Sequence, residues 1–248
     1  MKERLTHIDA AKGVLILFML IGHVWDDGPV HQFVYAFHMP AFFLISGILF
    51  HSGSSSDKPI WKVILRKARL LLIPYLCFEI YAIMVDVLTR GAYLNFKGYL
   101  YQVITLTLTN GPLWFLIVLF CSECLFLAVQ RLWRNAGIYV LTATLFAASW
   151  FLPKFDTYIN ITSILLALFF LCAGYILQPW LNKENYWLAA GVLILVGVLS
   201  QINTVDISNY QDGLPGVFLL TSFAGTYAVL CFSRSLHSRL LYYFGKTA

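Results

Sequence analysis

Charge is scarce in this chain. Among 248 residues there are 17 Lys and Arg and only 12 Asp and Glu, so charged types make up 12% of the total. An ordinary soluble domain carries about 25% charged residues, and that class is excluded. Cysteine is also sparse. Cys77, Cys121, Cys124, Cys172 and Cys231 all lie inside apolar runs, an odd set that offers no disulfide framework. Cys121 and Cys124 have the CxxC spacing, but no second pair or histidine cluster accompanies them, so no metal is expected and the thiols read as polarisable packing. A single basic face is missing as well: the cations fall between apolar runs, and nucleic acid is not an expected partner. No internal repeat is visible. The only low-complexity patch is HSGSSSDKP at 51–59, read as a flexible inner loop.

Hydrocarbon is what the chain does have, with 60% hydrophobic residues and a mean hydropathy of +0.75. The expected fold is all-α, a polytopic transmembrane helical bundle in the lipid bilayer. About eight spans are expected, near 8–25, 33–50, 70–88, 113–132, 137–152, 161–178, 187–202 and 214–232. Basic residues set the orientation. With the N-terminus cytoplasmic, only Arg90, Lys97 and Lys154 of the 17 fall outside, which satisfies the positive-inside rule. Counting Gly98 to Thr109 as a span would invert every later loop, so this run reads as an interfacial or re-entrant piece. The first segment is followed by DDGPVH rather than a small-residue cleavage site, and it is expected to stay in the product. Most tryptophans sit at segment ends, as an interfacial aromatic belt requires.

The chemistry is expected between Ile8 and Phe50, where Lys12, His23 and His38 stand in otherwise apolar sequence. An ionisable group inside a membrane costs roughly 2.5 kcal/mol or more, so such groups are usually functional. Lys12 and His23 are eleven residues apart. On a helix that spacing returns to within about 20° of one face and separates them by about 16 Å. Asp9 lies near the same stripe. The turn WDDGPVH brings the next segment back antiparallel, so His38 re-enters beside His23, and Met39-Pro40 marks a helix start or kink. Asp26, Asp27 and His31 read as a solvated outer turn. Glu123, mid-segment, needs a partner, and His23, an arginine or a proton are the candidates. Glu79 reads as pairing with a basic group and Asp86 as solvated near the outer boundary.

Several motifs in order resemble the acyltransferase-3 family of integral-membrane O-acyltransferases, of the fucose 4-O-acetylase-like kind. They are the Lys12-to-His23 spacing, FHMP at Phe37 to Pro40, FFLISG at Phe42 to Gly47, the RxxR of Arg66 and Arg69 before LLIPY, and GPLWFL at Gly111 to Leu116 followed by Glu123. The resemblance covers most of the first 125 residues; beyond about Ala136 it is one of hydropathy alone. It implies a multi-pass protein of the bacterial inner membrane that moves an acetyl group from cytoplasmic acetyl-CoA to a hydroxyl of a cell-envelope or lipid-linked glycan. In that reading His23 is the general base and His38 holds the acceptor or polarises the carbonyl. Glu123 completes the catalytic set. Arg66 and Arg69, neighbours on one helix face, clamp the phosphates of coenzyme A with Lys12. In the family a stretch similar to FGK opens a further pair of spans, whereas here YYFGKTA closes the sequence. The expectation is one acyltransferase domain over 1–248 without the family's last spans. The alternative is a transporter or flippase for a lipid-linked sugar, with the same histidines and Glu123 relaying protons. Interrupted segments in two matching halves would favour it, and none are visible.

Overall fold

A computed structural model describes residues 6–25, 27–52, 59–90, 113–151, 161–181, 183–207 and 213–247. The expected interfacial piece at 98–109, Asp26, Lys58, Lys97, Gly111, Pro112 and Lys154 lie outside the described residues. Every regular element among the described residues is helical: α1 Thr6–Val24, α2 Pro29–Tyr35, α3 His38–Ser52, α4 Ile60–Arg90, α5 Trp114–Phe151, α6 Ile161–Leu181, α7 Tyr186–Ile202, α8 Pro215–Ser233 and α9 Arg239–Thr247. Among the described residues six stretches are long and apolar enough to cross a membrane, at Thr6–Val24, Pro29–Ser52, Ile60–Thr89, Trp114–Trp133, Ile161–Leu181 and Pro215–Ser233. Two shorter apolar helices, Asn135–Phe146 and Tyr186–Ile202, account for the other expected segments.

Two boundaries differ from expectation. The basic run ending in Arg69 is helical from Ile60, because nothing after Pro59 breaks it, and α4 reaches 31 residues. Residues 131–136, read as an inner turn, lie within the 38-residue α5. RLWRNA holds no proline and four strong helix formers, and neither its asparagine nor the following Gly137 outweighs them.

The chain forms two compact units, residues 1–52 with 170–248, and residues 53–169. In the first, α3 is the central helix. Every residue from His38 to Ile48 is buried, as an all-round apolar helix must be. α6 packs against it through glycine. A methyl group on Gly174 would overlap the Leu44 carbonyl, and one on Gly47 the Leu171 carbonyl. Gly174→Ala is therefore expected to destabilise by about 1–3 kcal/mol, read as a lower thermal midpoint in detergent. Gly191→Ala, in open space on α7, serves as the control. α7 and α8 meet through Ala189, Ala228 and Cys231. α8 reaches α3 through Gly225, which lies against the Phe37 ring.

The break between α2 and α3 has a definite cause. Pro40 has no N–H to offer the Ala36 carbonyl and its ring excludes a straight helix there. The orphaned carbonyl takes a hydrogen bond from the Thr221 hydroxyl of α8 at 3.2 Å. The expected start or kink beside Met39-Pro40 is thus present, and His38 opens α3.

α9 lies along the first half of α1. Gly13 faces the Leu241 carbonyl and Gly245 faces the Asp9 carbonyl, both too close for a side chain. Lys12 donates to the Gly245 carbonyl at 3.4 Å, placing a cation at the negative end of α9. The same end of this unit carries the Arg234–Glu184 ion pair at 3.3 Å.

In the second unit α4 and α5 run antiparallel. Tyr75, Leu113 and Ile117 form their shared core, and Lys67 pairs with Glu123 further along. Trp61 and Trp133 are exposed near the ends of these segments, as are Trp25, Trp180 and Trp187 in the first unit, while Trp114 is buried.

Candidate active site

His23 sits in the last turn of α1, at the end away from Asp9 and Lys12. The chain leaves α1 through Trp25 and turns at Gly28, whose φ of 90° only glycine adopts freely. Pro29 then starts α2. This short return places α2 against the end of α1, and a ring cluster forms there. Tyr35 is its hub. His31 stacks on Tyr35 with centroids 3.8 Å apart and planes at 24°. His38 tilts against it at 5.0 Å. His23 presents an edge-on contact at 6.4 Å. The expected pairing of His23 and His38 at one depth is thus mediated by a tyrosine.

The two histidines differ in environment. His38 is 2% exposed and its Nδ1 lies 2.8 Å from the Val34 carbonyl. A carbonyl only accepts, so Nδ1 carries the hydrogen and the neutral ring keeps its Nε2 lone pair as a proton acceptor. His23 is exposed, and no hydrogen bond to its ring is seen among the described residues. Asp206, from the segment between α7 and α8, lies within electrostatic range of His38, as do His23 and His31. Gln201 ties the end of α7 to the Pro29 carbonyl at 3.2 Å on this same side of the unit. Polar groups from α1, α2, α3, α7 and the segment after α7 therefore gather at one end of the first unit.

The other predicted residues lie in the second unit. Arg66 and Arg69 are exposed on the opening turns of α4. Between them Lys67 donates to Glu123 Oε1 at 2.7 Å, with the carboxylate 2% exposed and the lysine 29%. A lysine of the basic run is thus a partner of Glu123. Glu79 is also buried, one turn beyond the buried Tyr75. Asp86 is half-buried rather than freely solvated.

Tyr35 carries no charge to mark it in the sequence, and His31, which the sequence assigns to a solvated turn, is half-buried against it. A signal existed: His31, Tyr35 and His38 are spaced four and three apart, which is one face of a helix.

These features define an α-helical multi-pass membrane protein with an imidazole cluster at one end of its first unit and a basic helix start in its second. The chain belongs to the acyltransferase-3 family, whose model, described as an acyltransferase domain, matches residues 5–248. A curated relative, nodulation protein NolL of Mesorhizobium japonicum, is 28% identical over 190 residues. That match covers 71% of this chain and 48% of the relative, so the chain spans about half the relative's length. No solved structure matches the chain.

Proposed function

We propose that the protein is an O-acetyltransferase of the bacterial inner membrane, moving an acetyl group from cytoplasmic acetyl-CoA to a hydroxyl of a cell-envelope or lipid-linked glycan. The observation that carries this reading is the imidazole pair on Tyr35, one member of which is held as a proton acceptor by Val34. An alcohol is too weakly acidic to attack a thioester unaided at neutral pH. His23 takes the hydroxyl proton as the oxygen bonds to the thioester carbonyl carbon. The C–S bond breaks, and the proton passes to the departing thiolate to give free coenzyme A and the acetyl ester. His38 has one role narrowed by its hydrogen bond: a neutral ring with Nδ1–H committed to Val34 has no second donor, so it orients the acceptor hydroxyl rather than polarising the carbonyl.

Arg66 and Arg69 are the cations proposed for the coenzyme A phosphates, with Lys12 as a further point charge. Glu123 acts through Lys67, whose ammonium it holds on the α4 turn between the two arginines. The Lys12-to-His23 separation of about 16 Å along α1 is of the order of a pantetheine arm.

The test is coenzyme A binding and acetyl-CoA turnover by the purified protein in detergent. Arg69→Ala is expected to raise the Kd for coenzyme A about tenfold or more, the value of one charge-assisted hydrogen bond. Absence of binding by the wild-type protein would remove the donor from this reading.

A further inference from the structure

His31 stands in the same ring cluster but is not used by the proposed reaction. His31 Nδ1 lies 2.9 Å from the Trp25 carbonyl and 3.1 Å from the Gly22 carbonyl. Both acceptors belong to the end of α1, where the last carbonyls lack helical N–H partners. Because both are carbonyls, Nδ1 carries the hydrogen. The other face of the same ring stacks on Tyr35. Tyr35 in turn is seated on α1 itself: a methyl group on Gly22 would come 2.9 Å from the Tyr35 ring. Gly22 is the neighbour of His23, so one short stretch of α1 receives the His31 hydrogen bond, the Tyr35 ring and the edge contact to His23.

We propose that His31 is a positioning residue: it caps the end of α1 and clamps Tyr35 there, so that His23 from α1 and His38 from α3 are held against one ring. The proposal rests on the reading of His23 and His38 as the working imidazoles. His31 touches neither of them through a hydrogen bond among those seen. Its effect passes through Tyr35 and through the α1 carbonyls.

The experiment compares the wild-type protein with His31→Ala and His31→Asn in detergent, with two readouts. Acetyl-CoA turnover is the first. His31→Ala is expected to lower kcat about tenfold, the scale of a sub-ångström loss of alignment, with the KM for acetyl-CoA changed less than about twofold because no donor contact is lost. The asparagine amide places an N–H donor near the position of Nδ1, so His31→Asn is expected to regain most of kcat. The second readout is the rate of carbethoxylation of each histidine by diethyl pyrocarbonate, followed by mass spectrometry, which needs no turnover. In the wild type His23 reacts quickly and the buried His38 slowly. In His31→Ala the His38 rate rises several-fold, and in His31→Asn it returns toward the wild-type value. A wild-type protein without acetyl-CoA turnover would count against the proposed reaction, and the carbethoxylation rates would then decide the role of His31 alone. Unchanged His38 reactivity in His31→Ala overturns the proposal. So does a loss of turnover carried by KM, or one that asparagine fails to repair.

Discussion

Alanine at His23 is expected to lower acetyl-CoA turnover by about 10²–10⁴-fold, the range for loss of a general base, with coenzyme A binding held within about twofold. The structure makes this variant informative, because His23 is exposed in the last turn of α1 and, among the described residues, its ring is seen only in edge contact with Tyr35. Truncating it opens no cavity and leaves no buried group unpaired, so the thermal midpoint should hold within the small range of surface changes. His38 needs a different substitution. Alanine there would remove the shorter hydrogen bond to the Val34 carbonyl, leaving it the 3.4 Å one from the Phe37 N–H, at a cost of about 0.5–1.5 kcal/mol, and would confuse folding with chemistry. His38→Asn keeps an N–H near the Nδ1 position and removes the Nε2 acceptor. It is expected to fold normally and to lose most turnover. Normal acetylation by His23→Ala would sink its role as base; a His38→Asn protein of full activity would leave His38 a structural residue.

Breaking the Lys67–Glu123 pair from one side gives the largest expected stability effect. Glu123→Leu removes a 2%-exposed carboxylate and leaves a partly buried ammonium without its 2.7 Å partner. Single removal from a buried pair costs roughly 3–5 kcal/mol, and the lysine's 29% exposure puts this one at the lower end. Lys67→Met strands the more deeply buried charge and is expected to cost at least as much. The double variant, Lys67→Met with Glu123→Leu, replaces two ions by apolar groups of similar volume and should recover much of either loss. Thermal unfolding in detergent of the four proteins closes the cycle. Additive losses across it would show that the two side chains contribute independently, and Glu123 would need another account.

The hydrophobic pattern made the helices legible because a bilayer demands long apolar runs, and all eight expected segments are helical. Where each helix stops was less legible, since the polar residues at 131–136 mark where a span can end in water but do not break a helix. Proline gave a sharper signal: Met39-Pro40 placed the break before α3 because a missing N–H acts locally. The site was half legible. Ionisable residues in hydrocarbon pointed to His23, His38 and Glu123, since burial of such groups is costly wherever they stand. What they touch depends on which faces meet. Tyr35 carries no charge and so looked like core, and the partner of Glu123 lies 56 residues away on another helix. Spacing along one strand of sequence cannot choose among several cations at that distance.

The helix that carries His23 is fastened at both extremities. Near its start Gly13 and Lys12 engage α9, and at its finish two carbonyls engage His31 of α2. Rotation of α1 by a single residue step, about 100°, would break both attachments and swing His23 away from Tyr35. A carrier that alternates access rocks its elements around the bound cargo, and here the element in question has no independent stroke: it can travel only together with α2 and α9. Such a part behaves as a fixed jig, which suits a reaction in which substrates arrive at a stationary imidazole better than a cycle in which the binding residues themselves must move.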